Sequence, residues 1–356
     1  MQASRYHGQR DVRVDDVDDP TLGPDEVRIE VDSCGICGSD LHEYVAGPIF
    51  VPDRDPHPLT GERLPITMGH EFGGVITAVG DGVSTHEKGQ AVAVNPIVWC
   101  GECRYCVEGK YHLCESVGFV GLSGGGGGFS ERVTVPAVQA VPLPDGVPTE
   151  HGALVEPFSV GLHAVRRSGL QAGDSVAVFG SGPIGLAVVQ AARAAGAGRI
   201  FVSEPREARR SLARESGADD LVDPTETDPV EYVHAETGGG TDVTFEVAGI
   251  ETTFKQALET AKADGRVTIV SIFEGEISMH PNTIVLGERA VTGTLAYLGG
   301  PLSDREFGAV LRLFGDGELD PEALVTARID LPDVVDEGFD ELLDGESEHV
   351  KILVRP

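Results

Sequence analysis

A strand, a glycine-rich turn and a helix follow one another from Ser175 onward, and this succession constrains the fold of the 356-residue chain more than any other segment. Ser175–Phe179 is apolar and typical of a buried strand. The turn after it matches G-x-G-x-x-G. Glycines allow a tight turn, and the N-terminus of the next helix offers amide donors to phosphate groups. The context predicts a dinucleotide-binding turn whose residues are Gly180, Ser181, Gly182, Pro183, Ile184 and Gly185.

Strands and helices alternate through the rest of this region. Further strands are predicted at Arg199–Ser203, Asp220–Val222, Asp242–Val247, Arg266–Ile272 and Ala290–Thr294, and helices at Pro183–Ala195 and Glu207–Ser216. Such alternation is typical of a doubly wound parallel sheet, so an α/β Rossmann domain is predicted over residues 157–295.

The acid that ends the second strand bears on the choice of nucleotide. Glu204 can accept hydrogen bonds from the adenosine ribose and would repel a 2′-phosphate, which favours NAD over NADP. Arg206, Arg209 and Arg210 follow closely and could bind that phosphate, so NADP stays open, with Arg209 as a candidate cofactor contact. The nicotinamide end is expected at loops after the later strands, at Val247, Ala248, Ser271, Ile272, Phe273, Leu295 and Tyr297.

The remainder of the chain predicts a second, β-rich domain. Residues 1–156 contain short segments of period-two hydrophobicity, such as Glu26–Val31, between turns rich in glycine and proline. A helix at Asp304–Phe314 and a strand at Val350–Val354 are expected to return to this domain, which would comprise 1–156 and 296–356. The segment Tyr44–Pro65 has five prolines and is predicted to be an ordered surface insertion.

Four of the six cysteines lie close together in a predicted lobe at residues 95–116. Cys100, Cys103, Cys106 and Cys114 have the spacing C-x2-C-x2-C-x7-C, which suits a closed tetrahedral zinc site of structural type. An iron–sulfur cluster also uses four cysteines, but no other feature suggests electron transfer.

The charge balance excludes some partners. The chain has 58 acidic and 27 basic residues, for a formal net charge of −31, and only five of the basic residues are lysine. Such a chain repels nucleic acid and anionic membranes. No apolar run is long enough to span a membrane and the N-terminus is polar, so a cytoplasmic location is expected. The diffuse acidity resembles that of proteins from salt-loving archaea.

A second set of candidate metal ligands is scattered, and three motifs identify it. They are Cys34-Gly-Ile-Cys37-Gly-Ser39-Asp40-Leu41-His42, Gly69-His70-Glu71-Phe72-Gly73-Gly74 and Gly152-Ala-Leu-Val-Glu156-Pro157. With the four cysteines and the nucleotide turn, they resemble, in order and over the whole chain, the zinc-containing medium-chain dehydrogenase/reductase family. The resemblance implies a GroES-like catalytic domain beside the Rossmann domain. It also implies a catalytic zinc bound by Cys37, His70 and Glu156, with Glu71 as an alternative ligand or just behind.

Within that family, the chain resembles the (R,R)-2,3-butanediol (acetoin) dehydrogenases most. The segments that carry this resemblance are His42-Glu43-Tyr44, His57-Pro58-Leu59-Thr60 and Val117-Gly118-Phe119-Val120-Gly121-Leu122. It implies an alcohol or vicinal diol substrate, a proton relay through Ser39 and His42, and a homodimer or homotetramer. Sorbitol dehydrogenase and L-threonine dehydrogenase are the alternatives within the family. A non-enzymatic protein of the same fold is the alternative outside it.

Overall fold

The computed structural model describes all 356 residues, which form two compact units. The strands are β1 Gln2–Gly8, β2 Asp11–Asp16, β3 Glu26–Gly35, β4 Ile66–Thr67, β5 Glu71–Val79, β6 Ala91–Val94, β7 Ile97–Val98, β8 Gly118–Phe119, β9 Arg132–Pro136, β10 Ala140–Pro142, β11 Ser175–Phe179, β12 Arg199–Ser203, β13 Asp220–Val222, β14 Thr241–Glu246, β15 Ala261–Ile269, β16 Ala290–Gly293, β17 Val325–Asp330 and β18 Lys351–Arg355. The α-helices are α1 Gly38–Ala46, α2 Arg104–Val107, α3 Val155–Ser168, α4 Pro183–Ala194, α5 Glu207–Glu215, α6 Pro229–Thr237, α7 Glu251–Thr260, α8 Asn282–Val285, α9 Phe307–Gly315 and α10 Asp340–Leu343.

The first unit comprises Met1–Glu156, Tyr297–Asp316 and Val325–Pro356, and it is built on β-sheets. A seven-stranded sheet has the order β10-β6-β5-β3-β18-β17, with β9 also paired to β3. A three-stranded sheet has the order β2-β1-β4, and β7 pairs with β8. The alternating pattern of β3 places Val27, Ile29 and Val31 in the core, as period-two hydrophobicity predicts.

The centre of this sheet brings distant segments of the chain together. The end of β3 pairs with β5 on one side, Gly35 opposite Glu71, and with β18 on the other, Gly35 opposite Leu353. Gly35 leaves the space that the Glu71 carboxylate occupies, since a Cβ there would lie 2.2 Å from Glu71 Oε2. The sheet therefore places Glu71 and Leu353 of β18 beside the same residue.

A buried ion pair joins these strands. Lys351 Nζ donates to Glu71 Oε2 at 2.6 Å and to the carbonyl oxygen of Ile36 at 2.8 Å. The side chains of Lys351 and Glu71 are 1% and 0% exposed. Both charges are withdrawn from water, so each depends on the other for compensation.

The second unit comprises Pro157–Ala296 and Gly317–Leu324, and it confirms the predicted doubly wound α/β architecture. Its six strands have the order β13-β12-β11-β14-β15-β16, and every pair is parallel. Helices connect most of the strands. The strand order reverses between β11 and β14, which is the point where such sheets bind their ligands.

Several predicted boundaries differ from the structure. The strand predicted to reach Ile272 ends at Ile269, and a turn of 3-10 type at Gly300–Arg305 precedes the helix predicted from Asp304. The residues Gly317–Leu324, expected in the first domain, belong to the second unit. The reason is a paired hydrogen bond: the Gln190 amide of α4 donates to Asp320 O at 3.0 Å and accepts from Asp320 N at 2.7 Å.

The predicted insertion Tyr44–Pro65 is non-helical from Gly47 to Pro65, as its prolines predict, whereas Tyr44–Ala46 belong to the end of α1. None of the helices combines the length and the hydropathy of a membrane-spanning segment.

Replacing Lys351 with methionine is expected to destabilise the protein by about 3 kcal/mol or more, because Glu71 would keep a buried charge without a partner. The free energy of unfolding is measured by urea titration in zinc-containing buffer. The double variant Lys351→Met/Glu71→Gln should recover more than half of the loss. The matched control is Arg13→Met, which removes an exposed ion pair with Asp11 at 2.6 Å and should cost less than about 1 kcal/mol. An equal effect of Lys351→Met and Arg13→Met would contradict the assigned role of the pair.

Candidate active site

Three of the four predicted catalytic zinc ligands meet in the first unit. The ligand atoms of Cys37, His70 and Glu71 all lie within 4.8 Å of one another. Cys37 precedes α1, while Glu71 begins β5 and His70 precedes it. Gly69 has a φ of +92°, and a Cβ there would lie 2.8 Å from Phe129 N, so only glycine fits before the histidine.

The chemistry of this cluster suits a zinc ion. A thiolate, an imidazole nitrogen and a carboxylate oxygen are the ligands that zinc takes in proteins. Glu71 Oε1 is buried and has no hydrogen-bond partner, while Oε2 is bound to Lys351. Burial, and next the charge of Glu71, raise the pKa of the Cys37 thiol. A bound cation would therefore both occupy the free oxygen and stabilise the thiolate.

Glu156, the fourth predicted ligand, is placed next to this cluster but not within it. It lies in the first turn of α3 and is buried. Burial raises its pKa to about 7, and the charge of Glu71 adds to the rise, while the charge of His70 opposes it. The burial of Tyr297, followed by the charge of nearby Glu156, holds the pKa of the phenol well above its ordinary value. The role of Glu156 as a zinc ligand stays a prediction.

The helix α1 carries the two residues of the predicted proton relay. Ser39 Oγ lies 3.2 Å from His70 Nε2, so the serine is adjacent to a predicted metal ligand. His42 follows Ser39 by three positions, which places both on one face of the helix. His42 is partly exposed.

Two residues that the sequence did not single out support the cluster. Asp40 is fully buried, accepts a hydrogen bond from Cys37 N at 2.9 Å and lies with Oδ1 3.5 Å from His70 Nδ1. Burial alone would lower the pKa of His70, but the charges of Asp40 and Cys37 outweigh it and raise that pKa well above its ordinary value. Asp40 stood in the Cys37 motif and could have been identified there. Lys351 is 280 residues from Glu71, and no local signal points to it.

The four clustered cysteines form a second site in the first unit. The sulfur atoms of Cys100, Cys103, Cys106 and Cys114 lie within 4.8 Å of one another, and none forms a disulfide. The Cys100 and Cys106 sulfur atoms are 3.9 Å apart. Four sulfurs around a zinc ion at about 2.3 Å would be separated by about 3.8 Å, so the spacing suits a tetrahedral site.

The protonation of these thiols also fits a metal. Backbone hydrogen bonds from Glu115 and Cys106 lower the pKa of Cys103 to about 6, whereas burial raises the pKa of Cys106 to about 12. Four thiolates are not stable together without a cation, so a metal would complete the site.

The predicted nucleotide turn lies between β11 and α4 in the second unit. A Cβ on Gly185 would lie 2.1 Å from Gly180 O, which explains the glycine that closes the motif. The Glu204 carboxylate lies next to this turn, because its Oε2 accepts a hydrogen bond from Ser181 N at 2.9 Å. Its Oε1 accepts a hydrogen bond from Arg206 N at 3.1 Å. Gly180 is also adjacent to Ala248, because a Cβ on Gly180 would lie 3.1 Å from Ala248 Cβ.

Arg209 and Arg210 differ in their surroundings. Arg210 forms an ion pair with Asp223 at 3.0 Å and donates to the carbonyl oxygens of Glu204 and Pro205. Arg209 is partly buried near Gly182, and burial, followed by the charge of Arg206, lowers its pKa.

The residues predicted to contact the nicotinamide are divided between the units. Val247 and Ala248 follow β14, Ser271, Ile272 and Phe273 follow β15, and Leu295 follows β16, all in the second unit. Tyr297 belongs to the first unit, where it is fully buried and its ring centroid lies 5.1 Å from that of Phe307. Glu246, which ends β14, was not predicted, although its position at the carboxyl end of a central strand could have indicated it.

Comparisons with known proteins agree with this geometry. Residues 23–145 match the family model described as alcohol dehydrogenase GroES-like domain, and residues 183–315 match the model described as zinc-binding dehydrogenase. An (R,R)-butanediol dehydrogenase from Bacillus subtilis is 48% identical over 100% of both chains. A sorbitol dehydrogenase from the same organism is 34% identical over 100% of this chain and 97% of its own. The crystal structure of 2R,3R-butanediol dehydrogenase from Bacillus subtilis superimposes with a TM-score of 0.93 at 47% identity, covering 100% of this chain and 99% of that one. The chain belongs to the zinc-dependent alcohol dehydrogenases of the medium-chain dehydrogenase/reductase family and is an oxidoreductase.

Proposed function

We propose that this protein oxidises (R,R)-2,3-butanediol to acetoin with NAD and catalyses the reverse reaction. The convergence of Cys37, His70 and Glu71 beside Ser39 is the observation that carries the proposal. The higher identity to the butanediol enzyme than to the sorbitol enzyme of one organism supports the choice of substrate. In the oxidation, the alcohol loses a hydride to the nicotinamide and a proton to solvent, which yields ketone, NADH and H⁺.

The two units would divide the work. The first unit, which holds both clusters of candidate metal ligands, would be the catalytic domain, and the second would bind the nucleotide. The boundaries of the two units lie close to the division predicted at residues 156 and 296. Cys37, His70 and Glu156 would hold the catalytic zinc, with Glu71 as an alternative ligand, and the four clustered cysteines would hold a structural zinc. A zinc ion held at the catalytic site would supply Lewis acidity and lower the pKa of the substrate hydroxyl group.

The chain's own residues would orient the ligands and move the proton. Asp40 would hold the His70 ring through Nδ1, as carboxylates commonly do for metal-bound histidines. The Ser39 hydroxyl, adjacent to His70, would hydrogen-bond the substrate oxygen and receive its proton. His42, partly exposed and on the same face of α1, would pass the proton to solvent.

His42→Ala is expected to lower kcat/KM by about 10-fold to 100-fold and to change the shape of its pH profile, because the outer proton acceptor is lost. Initial rates of alcohol oxidation between acidic and alkaline pH give this profile. His280→Ala, at an exposed histidine of the second unit, is the control and should leave the profile as it is. An unchanged profile in His42→Ala would exclude the relay.

NAD is the proposed cofactor, and the surroundings of Glu204 support it. The carboxylate lies at the glycine turn, where it would accept from ribose hydroxyls and repel a 2′-phosphate. Arg210 forms an ion pair with Asp223 and donates to two backbone carbonyls, and Arg209 remains the candidate contact for a 2′-phosphate if NADP were bound.

A substrate and cofactor panel tests both choices. Initial rates are measured with NAD and with NADP against the 2,3-butanediol stereoisomers, sorbitol, L-threonine and ethanol. We expect kcat/KM to be highest for the (R,R) isomer with NAD, by about tenfold or more, which corresponds to about 1.4 kcal/mol in the transition state. A preference for sorbitol or threonine would contradict the substrate assignment. Absence of any turnover by the zinc-loaded, folded protein would favour a non-enzymatic role.

We also propose that the protein is adapted to high salt, as proteins of halophilic archaea are. The net charge of −31 is distributed along the chain. Like charges on the surface repel one another and destabilise the compact state, and dissolved ions screen this repulsion.

The melting temperature is therefore expected to rise with KCl concentration from about 0.1 M to above 1 M, over which the Debye length falls from about 10 Å to about 3 Å. Thermal unfolding followed by circular dichroism in a KCl series measures the effect, with sucrose as the uncharged control. Maximal stability in dilute buffer would contradict salt adaptation.

The edge strand β16 suggests a further proposal, that copies of the chain associate as a dimer or tetramer through it. β16 is paired on one side only, and Val291 and the nearby Leu286 and Leu295 are exposed. Light scattering in molar KCl measures the assembly, and a monomer would contradict this proposal.

A further inference from the structure

A carboxylate outside the metal cluster has an unusual set of partners. Glu246 ends β14 and is fully buried. Its Oε1 accepts from Ala248 N at 2.9 Å, Gly249 N at 2.8 Å and Thr253 Oγ1 at 2.7 Å. Its Oε2 accepts from the Ser271 hydroxyl. All four donors are neutral, so the side chain is held by hydrogen bonds and not by an ion pair.

These donors belong to two separate loops and one helix. Ala248 and Gly249 lie in the loop after β14, Ser271 lies in the loop after β15, and Thr253 lies in the first turn of α7. The two loops are also in close contact, since Gly249 has a φ of +77° and a Cβ there would lie 2.8 Å from Ile272 O. One carboxylate therefore fixes the conformation of both loops.

The topology assigns these loops to one half of a dinucleotide. The strand order reverses between β11 and β14, and ligands bind across this point at the carboxyl ends of the strands. The β11–β13 half carries the glycine turn and Glu204, which suit pyrophosphate and adenosine ribose. The half formed by β14, β15 and β16 is left for the nicotinamide riboside.

We propose that Glu246 is a positioning residue for the nicotinamide half of the cofactor. It holds Val247–Gly249 and Ser271–Phe273 in the conformation that receives the nicotinamide ring, and it does not touch the adenosine half. This inference rests on the proposed nicotinamide-dependent function. A buried acceptor that holds backbone N–H groups pre-organises a binding loop, so its loss lowers affinity for the part of the ligand bound there.

The same strand offers a matched control. Asp242 lies near the opposite end of β14, where its Oδ2 accepts from Ser175 N at 2.8 Å and Ser175 Oγ at 2.6 Å, and its Oδ1 pairs with Lys262. Asp242 thus has a similar structural role at the amino end of the sheet, away from the loops that follow β14 and β15. Asp242→Asn should leave both halves of the nucleotide site unchanged.

The test compares the affinities for NADH and for ADP-ribose, which lacks the nicotinamide. Two variants are used: Glu246→Leu removes every acceptor, and Glu246→Gln keeps the size of the side chain and is the variant expected to fold if the first does not. We expect NADH to bind at least 20-fold more weakly to Glu246→Leu and at least fivefold more weakly to Glu246→Gln. ADP-ribose should bind within twofold of the wild-type affinity in each folded variant. In Asp242→Asn, both NADH and ADP-ribose should bind within twofold of the wild-type affinity. Isothermal titration calorimetry gives all of these constants.

Hydrogen exchange provides a second readout. In the Glu246 variants, the amides of 248, 249 and 271–273 should exchange faster, while those of the glycine turn at 182–185, beyond the contact of Gly180 with Ala248, should not change. Equal weakening of NADH and ADP-ribose, or no weakening of either, would overturn the positioning role while leaving the proposed function in place. If the wild-type protein binds ADP-ribose no more weakly than NADH, the inference is also wrong. If it binds neither ligand, the proposed function fails, and the inference fails with it.

Discussion

The buried pair of Lys351 and Glu71 connects the fold to the chemistry. Its lysine comes from the last strand and its glutamate begins β5, so the central sheet must be complete before the two can meet. The same carboxylate has a second oxygen with no hydrogen-bond partner, next to Cys37 and His70. Lys351 thus supplies the one fixed cation in a buried region that also contains Asp40, Glu156 and a thiol. When the Cys37 thiol, His70 and Glu156 give up their protons, negative charge exceeds that of Lys351, and a divalent metal would compensate it.

Buried carboxylates organise loops in other parts of this chain as well. Glu43 is fully buried in α1, and its carboxylate accepts from the backbone N–H groups of Ile49, Phe50 and Val51 at the start of the proline-rich insertion. Asp40 does the same for Cys37, and Glu246 does so for Ala248 and Gly249. An acidic side chain that satisfies several backbone donors gives an irregular loop a single conformation, which regular secondary structure cannot supply there. In a chain this acidic, some of the acids are therefore structural.

The sequence predicts best what is local. Ser175–Phe179, Arg199–Ser203 and Asp220–Val222 are strands with the predicted limits, because apolar runs between turn residues define them. Cys100, Cys103, Cys106 and Cys114 lie within one segment, so their spacing alone indicates a common site. The pairing of Lys351 with Glu71 could not be predicted, because the order of strands in the sheet determines it. The position of Gly317–Leu324 could not be predicted either, since it depends on an amide contact with Gln190 in a distant helix.

The same distinction between local and long-range contacts separates the two clusters of metal ligands. The four cysteines close a short loop, so the entropy lost on bringing them together is small and does not depend on the remaining fold. The proposed catalytic ligands are far apart in the chain, and the approach of Cys37, His70 and Glu156 requires β3, β5 and α3 to be in place. We therefore expect a change in β18, which contacts Glu71 through Lys351, to act on the catalytic cluster while the cysteine lobe keeps its geometry. Stability and metal binding are thus coupled at the catalytic cluster and largely independent at the lobe.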